Sequence, residues 1–244
     1  PRDLKIPCYT KELSGDIKGL RAGLLKEGFH PSFEADVNEL VRKSAEKLTE
    51  RGAVVEEVSI PYHLYGADLL FGILLTNPDA IFEGERTANQ GYHNTHLQLA
   101  LTRGLKCHAN DNSWNLKNTL LCSKYLRDKN YDAYYYNKCQ NLRRNLRRAY
   151  NEAFKKYDVL IMPTLPKKAS KFPSKNPSLS EYLEKAFNMI NNTAPFDVSG
   201  HPSLSINAGF SDQLPVGMMI TGKMFDEVTV LQVAYAYEQM RDQL

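Results

Sequence analysis

Two kinds of apolar pattern divide this chain. The run Asp158-Val159-Leu160-Ile161-Met162, closed by Pro163, is short and unbroken, as in a strand covered on both faces. Leu20–Leu25 and Val54–Ile60, the latter ended by Pro61, read as further strands. So do Ser203–Phe210 and Val216–Thr221, joined through the turn Ser211-Asp212-Gln213-Leu214-Pro215. Between the first two strands, Val37, Leu40, Val41, Ala45 and Leu48 share one stripe, while Glu39, Arg42, Lys43, Glu46 and Lys47 face water. This spacing predicts a helix from an N-cap at Ser32 to about Arg51, with Gly52 as the residue beyond its end. Strand, helix and strand with short joints form the βαβ unit of a parallel sheet.

Helical spacing returns four more times. Tyr62 to about Glu83 is apolar, and Tyr131–Tyr157 places Tyr135, Cys139, Leu142, Leu146, Ala149, Ala153 and Phe154 at steps of three and four. Ser180 is expected to cap a helix to about Asn191, with Leu183, Phe187 and Ile190 on one face, and Asp226 a closing helix through Val230, Leu231, Ala234 and Tyr237. Lys167–Ser178 and Asn192–Pro202 read as loops. The class is α/β, and with no repeat or composition break residues 1–244 read as one unit.

At 244 residues the chain can bury a full core, and its net charge of +3 gives no case for nucleic acid or an anionic membrane as partner. Lys138, Arg143, Arg144, Arg147 and Arg148 form a basic group, but Asp132 and Glu152 interrupt it and a solvated helix face explains it. No apolar run reaches the roughly eighteen residues of a membrane helix, and the opening residues do not show the cationic-then-apolar pattern expected of a signal peptide. Cys8, Cys107, Cys122 and Cys139 are widely spaced, which suits small buried hydrophobes in a reducing, cytoplasmic setting.

Candidate chemistry is sparse. His93, His96, Cys107 and His108 follow one another as metal ligands might, but their spacing matches no standard zinc motif, and no metal is expected. Trp114 follows the polar run Asn110-Asp111-Asn112-Ser113 and is expected to anchor a loop. Asp197, Ser199 and His201 invite a triad, yet triads are assembled from distant segments and no G-x-S-x-G elbow is present. Asp197 reads instead as a turn acceptor, with Gly200 and Pro202 fixing the entry into the next strand. The sequon Asn191-Asn192-Thr193 reads as accidental.

Three phrases carry a resemblance: Tyr157-Asp158-Val159-Leu160-Ile161-Met162-Pro163-Thr164, the Asn192–Pro202 segment, and Leu214-Pro215-Val216-Gly217-Met218-Met219-Ile220. They resemble the carboxyl-terminal half of amidase-signature enzymes, serine hydrolases of carboxamides. Asn192-Thr193-Ala194-Pro195-Phe196-Asp197 is most similar to the branch acting on small aliphatic and aromatic amides. The resemblance implies a twisted mixed β-sheet covered by helices on both faces. It also implies a Lys-Ser-Ser triad carried by an upstream Gly/Ser-rich segment, and no such segment occurs between Pro1 and Leu244. The expectation is half of an enzyme: no catalytic residue here, no cofactor, and an amino-terminal half as partner on a separate chain, with a dimer of heterodimers as one assembly. Pro1-Arg2-Asp3 resembles the family's junction between halves, as from processing or from a chosen start. Phe187, Ile190, Asn191 and Phe71 are the implied substrate-binding residues, with Asn192, Thr193, Asp197 and Gly200 in a structural loop beside the site. A small-molecule amide is the implied substrate. The alternatives are a non-catalytic binding or assembly subunit, or a component of an amidotransferase, whose wording the loop resembles less.

Overall fold

The computed structural model describes residues 6–75, 92, 94–131 and 133–241. In chain order its elements are α1 (Tyr9–Glu12), β1 (Arg21–Leu25), α2 (Ala35–Glu46), β2 (Val54–Val58), α3 (Gly66–Leu74), α4 (Thr95–Cys107), α5 (Trp114–Leu126), α6 (Tyr134–Ala153), β3 (Val159–Pro163), α7 (Leu179–Phe187), α8 (Ala194–Ser199), β4 (Ser203–Ser211), β5 (Leu214–Gly222) and α9 (Glu227–Arg241). Short 3-10 turns at Lys26–Phe29 and Pro61–Tyr65 follow β1 and β2. Contacts group the residues into two compact units: residues 1–67, 143–171 and 189–244 form the first, residues 68–142 and 172–188 the second.

The first unit holds the sheet, in the order β2-β1-β3-β5-β4. β1 runs parallel to β2 and β3, and β5 runs antiparallel to β3 and β4. The expected mixed α/β sheet is present. Every residue of β3 is buried, which accounts for its unbroken apolar sequence, whereas the edge strands β2 and β4 are partly exposed. α2 packs on β3, β4 and β5 through Val37, Val41 and Ala45, and α9 packs on β4 and β5. The β4–β5 register slips between Asn207 and Gly209. There the carbonyl of Ala208 accepts the hydroxyls of Ser44 (3.0 Å) and Tyr237 (3.1 Å), so two buried helix side chains satisfy the irregular backbone. Beside the β4–β5 turn, the Lys168 ammonium meets Asp36, Asp212 (3.0 Å) and Glu34 (3.3 Å), joining the start of α2 to the hairpin. Hydrogen bonds from Lys168 and Ser211 hold the Asp36 carboxyl down to about 2.

Several local expectations need correction. Ser32 does not cap α2: its hydroxyl lies 2.7 Å from His30 Nδ1, and the helix begins only after Glu34. A short-range side-chain bond has competed with the cap. Gly52 does end this segment, at φ 80°. The later helix is capped by Ser178, whose hydroxyl accepts the Glu181 amide at 3.1 Å, and stops at Phe187 rather than Asn191. Trp114 opens α5 instead of anchoring a loop. The segment Asn192–Pro202 contains the one-and-a-half-turn α8, with Pro195 in its first turn and Gly200 at φ 81° ending it. No cysteine among the four is buried; all are free thiols, Cys8 and Cys107 exposed. Residues 76–83 of the apolar segment beginning at Tyr62 lie outside the described residues, as does His93.

In the second unit, α5 packs against α7, with Trp114 and Tyr182 ring centroids 6.4 Å apart. The Cα of Gly72 approaches Cys139 so closely that a Cβ there would lie 2.3 Å from its sulfur.

The β4–β5 turn gives a direct test. Asp212 and Gln213 hold φ of 49° and 64°, the two left-handed positions of a tight hairpin turn, with no glycine at either. Asp212 pairs with Lys168, so Gln213 is the free choice. Gln213→Gly should raise stability by up to about 1 kcal/mol, seen as a higher midpoint of chemical unfolding.

Candidate functional site

A cavity of about 140 Å³ lies in the first unit. Glu27, His30, Ser32 and Phe33 line it from the segment after β1, His63, Leu64 and Ala67 from the segment after β2, and Asn191 and Asn192 from the approach to α8. It therefore sits beyond the carboxyl ends of two parallel strands, where open α/β sheets commonly hold ligands. His63 and Asn192 are its buried floor; Leu64, His30 and Asn191 are exposed at its mouth. Glu27 forms part of the wall and ties the two strand ends together. Its carboxylate accepts the Ser59 hydroxyl at 2.5 Å and the Ile60 amide at 2.8 Å.

Hydrogen-bond accounting fixes the floor. Asn192 Nδ2 lies 2.9 Å from the Gly28 carbonyl and 2.7 Å from the Pro163 carbonyl. Carbonyls only accept, so these contacts orient the amide and leave Asn192 Oδ1 facing His63 Nε2 at 3.1 Å. Nε2 must then carry the proton, and Nδ1 of the neutral ring accepts from the Tyr150 hydroxyl at 2.8 Å. Burial holds the Tyr150 phenol well above its ordinary value, so it keeps the proton it donates. The chain Tyr150–His63–Asn192 thus joins α6, the turn after β2, the end of β3 and the turn after β1. Phe196 closes it with ring centroids 4.9 Å from Tyr150 and 5.9 Å from His63. Gly66 meets Pro195 at its side, where a Cβ would come within 2.3 Å of Cγ.

Of the residues expected at the site, Asn191 and Asn192 line the cavity. Ile190 belongs to the same unit and caps the approach to α8 through its carbonyl, which accepts the Ala194 amide at 2.9 Å and the Thr193 hydroxyl at 3.3 Å. Phe71 and Phe187 belong to the second unit and pack edge to face, centroids 5.3 Å apart. Asp197 lies exposed on α8, its carboxyl raised by partial burial, and Gly200 ends that helix. Ser199 and His201 do meet, at 2.9 Å, but the other ring nitrogen faces Asn151 at 3.2 Å and not Asp197. Ser199 has no exposed surface. His201 thus ties the end of α8 to Asn151 of α6, and the buried Ser199 hydroxyl is out of a substrate's reach. Among the described residues no three His, Cys, Asp or Glu side chains converge as a metal site would need.

Sequence reasoning passed over His63, Tyr150 and Glu27. A single histidine between Tyr62 and Leu64 carries no periodic or motif signal. Its partners lie 87 and 129 residues away.

Burial lowers His63 to about 4, and burial with the nearby Arg147 charge lowers His201 to about 4. The unfolded chain protonates these rings near pH 6.5, the folded protein only near 4. Stability is therefore full above about pH 6.5, falls as pH drops toward about 4, and levels off below. For His63 the loss should reach about 3 kcal/mol, and a His63→Gln variant should show a flatter stability profile across this window in chemical unfolding. Asn192→Ala would leave two carbonyls and an imidazole N–H without partners. It should cost about 3 kcal/mol or more, read as a lowered unfolding midpoint.

The amidase family model matches residues 2–231. Among curated proteins, a component of the glutamyl-tRNA(Gln) amidotransferase of Sulfurihydrogenibium sp. is 33% identical over 247 residues, covering 99% of this chain and 49% of that protein. An uncharacterized protein in the nthA 5′ region of Rhodococcus erythropolis is 53% identical over 106 residues, 43% of this chain and 53% of that protein. Among solved structures, 6-aminohexanoate cyclic dimer hydrolase superposes with a TM-score of 0.71 at 18% identity, over 97% of this chain and 48% of that one. A bacterial aryl acylamidase of the amidase-signature family gives 0.68 at 23%, over 97% and 46%. These two are likenesses of fold. The chain spans about half the length of the curated relatives it matches. On the family match and the shared fold, the chain belongs to the amidase family, the amidase-signature enzymes.

Proposed function

We propose that this polypeptide is the carboxyl-terminal portion of a serine-type amide hydrolase that converts a small carboxamide to the acid and ammonia or an amine. The observation that carries this reading is the family match over residues 2–231 of a chain that spans about half its relatives' length. The residues here support a binding and scaffolding share of the work. Ser199, the serine beside a histidine, is buried, and Ser32 spends its hydroxyl on His30 at 2.7 Å. The nucleophile, its bridging serine and the lysine base belong, on this reading, to an amino-terminal half that completes the enzyme. There the lysine, acting through the bridging serine, takes the nucleophile's proton. The nucleophile attacks the amide carbonyl, the amine leaves, and water releases the acid.

A second reading is favoured by the curated relatives, several of which are amidotransferase components at 31–35% identity. On it, ammonia freed from an amide donor passes to an acceptor instead of to solvent.

Ammonia release from a panel of short aliphatic and aromatic primary amides tests both. Combined with an amino-terminal half bearing the Gly/Ser-rich segment, the polypeptide should release ammonia with no acceptor present. By itself it should give the blank rate. Turnover by these 244 residues alone would contradict the hydrolase-half reading. Turnover that appears only with an acceptor would favour the amidotransferase.

A further inference from the structure

Almost every serine hydroxyl in this chain is committed. Of the fourteen serines, twelve are buried or bonded through the hydroxyl, as Ser32 is to His30, Ser174 to Glu181 and Ser211 to Asp36. The other two, Ser170 and Ser180, are exposed and make no hydrogen bond through the side chain. Ser180 stands in the first turn of α7, where the helix fixes its backbone, and Glu181 follows it directly. Ser170 lies in the irregular stretch between β3 and α7. Upstream, the Glu34 amide donates to the Pro166 carbonyl at 2.9 Å and the Lys168 amide to the Glu34 carboxylate at 3.2 Å. Downstream, Lys185 Nζ donates to the Phe172 carbonyl at 3.2 Å and the Ser174 amide to Glu181 at 3.0 Å. Between these anchors Ala169, Ser170 and Lys171 are all exposed and form no hydrogen bond with the rest of the chain. They can be drawn away from the surface without breaking a backbone bond. Lys167 stands three positions before Ser170 and Lys171 one after, and no acidic residue occurs between Asp158 and Glu181.

We propose that Ser170 is a phosphorylation site for a serine/threonine kinase that reads basic residues around its acceptor, and that the phosphate draws Lys168 away from the β4–β5 turn. The chemistry needs a hydroxyl that can enter a kinase cleft in line with ATP. The Ser170 oxygen attacks the γ-phosphorus, the bond from that phosphorus to the bridging oxygen breaks, ADP leaves, and the hydroxyl proton passes to the kinase's aspartate. Lys167 and Lys171 supply the charge contacts to an acidic cleft. Recognition therefore does not call on Lys168, whose side chain is largely covered. Phosphoserine carries roughly 1.5 to 2 negative charges and three strong acceptor oxygens. Here they fall two residues from the lysine that holds Glu34, Asp36 and Asp212. One ammonium already serves three carboxylates, and a stronger fourth acceptor takes it from the most exposed of them, Asp212. The turn then loses its tie to the start of α2. Neither part depends on the hydrolase reading.

The test incubates the full chain with ATP, magnesium and the catalytic domains of cyclic-AMP-dependent kinase and protein kinase C in turn. At least one of them should add a single phosphate by intact mass, mapped to Ser170 by tandem mass spectrometry, and Ser170→Ala should take up none. Lys167→Ala combined with Lys171→Ala should slow the transfer about tenfold, as the loss of two surface charge contacts would. An unchanged thermal midpoint in each variant excludes unfolding as the cause. No incorporation by either kinase, incorporation that survives Ser170→Ala, or a rate indifferent to Lys167 and Lys171 would each overturn the site. For the tie, the phosphorylated chain should unfold at a lower urea midpoint than the unmodified chain. That gap should shrink in about 0.5 M salt, where charge contacts are screened. It should also shrink in Asp212→Asn, where the turn has no carboxylate left to lose. An equal or higher midpoint after phosphorylation, or a gap untouched by salt and by Asp212→Asn, would overturn the effect on the turn and leave the site standing.

Discussion

The side-chain amide of Asn192 has no free hydrogen-bonding atom, and the first unit depends on that. Its two N–H groups close the carbonyls of Gly28 and Pro163, and its oxygen fixes the tautomer of His63. The first lies in the 3-10 turn after β1 and the second on the last residue of β3, at the edge of the regular ladder. A buried carbonyl without a partner is costly, so strand ends must be satisfied by something other than the sheet. One carboxamide does this for two of them. The histidine and tyrosine behind it extend the same rigidity to α6, so the cavity floor is built from atoms with a single low-energy arrangement.

Beside the β4–β5 turn the same unit is held by charge instead of neutral bonds. Lys168 gathers Glu34, Asp36 and Asp212 there, its side chain only 15% exposed. The two devices differ in their response to acid. The Lys168–Asp36 pair persists down to low pH because Asp36 is held to about 2, whereas the neutral histidines lose their advantage between about 6.5 and 4. Of the two, the cavity floor is the one that acid loosens first.

How much of this the sequence discloses depends on the range of the interaction. β3 was legible from Val159-Leu160-Ile161-Met162, since burial on both faces demands an unbroken apolar run, and the Gly52 stop followed from its left-handed backbone. The caps were less so: Ser32 and Ser178 are alike in composition, and only His30 two residues before Ser32 diverts one of them. α8 was hidden because Asn, Pro, Asp, Ser and Gly punctuate its sequence as they would a loop. Asn191 and Asn192 were reached through family resemblance, and they do line the cavity. Glu27, His63 and Tyr150 were not, because their roles arise only when segments far apart in sequence meet.

The measurement that bears most directly on this account is the protonation state of His63, read from its ring 15N chemical shifts across pH 4 to 8. The account predicts a neutral ring carrying its proton on Nε2 through that range, titrating only near the lower end. A proton on Nδ1, or a midpoint near the ordinary 6.5, would contradict it.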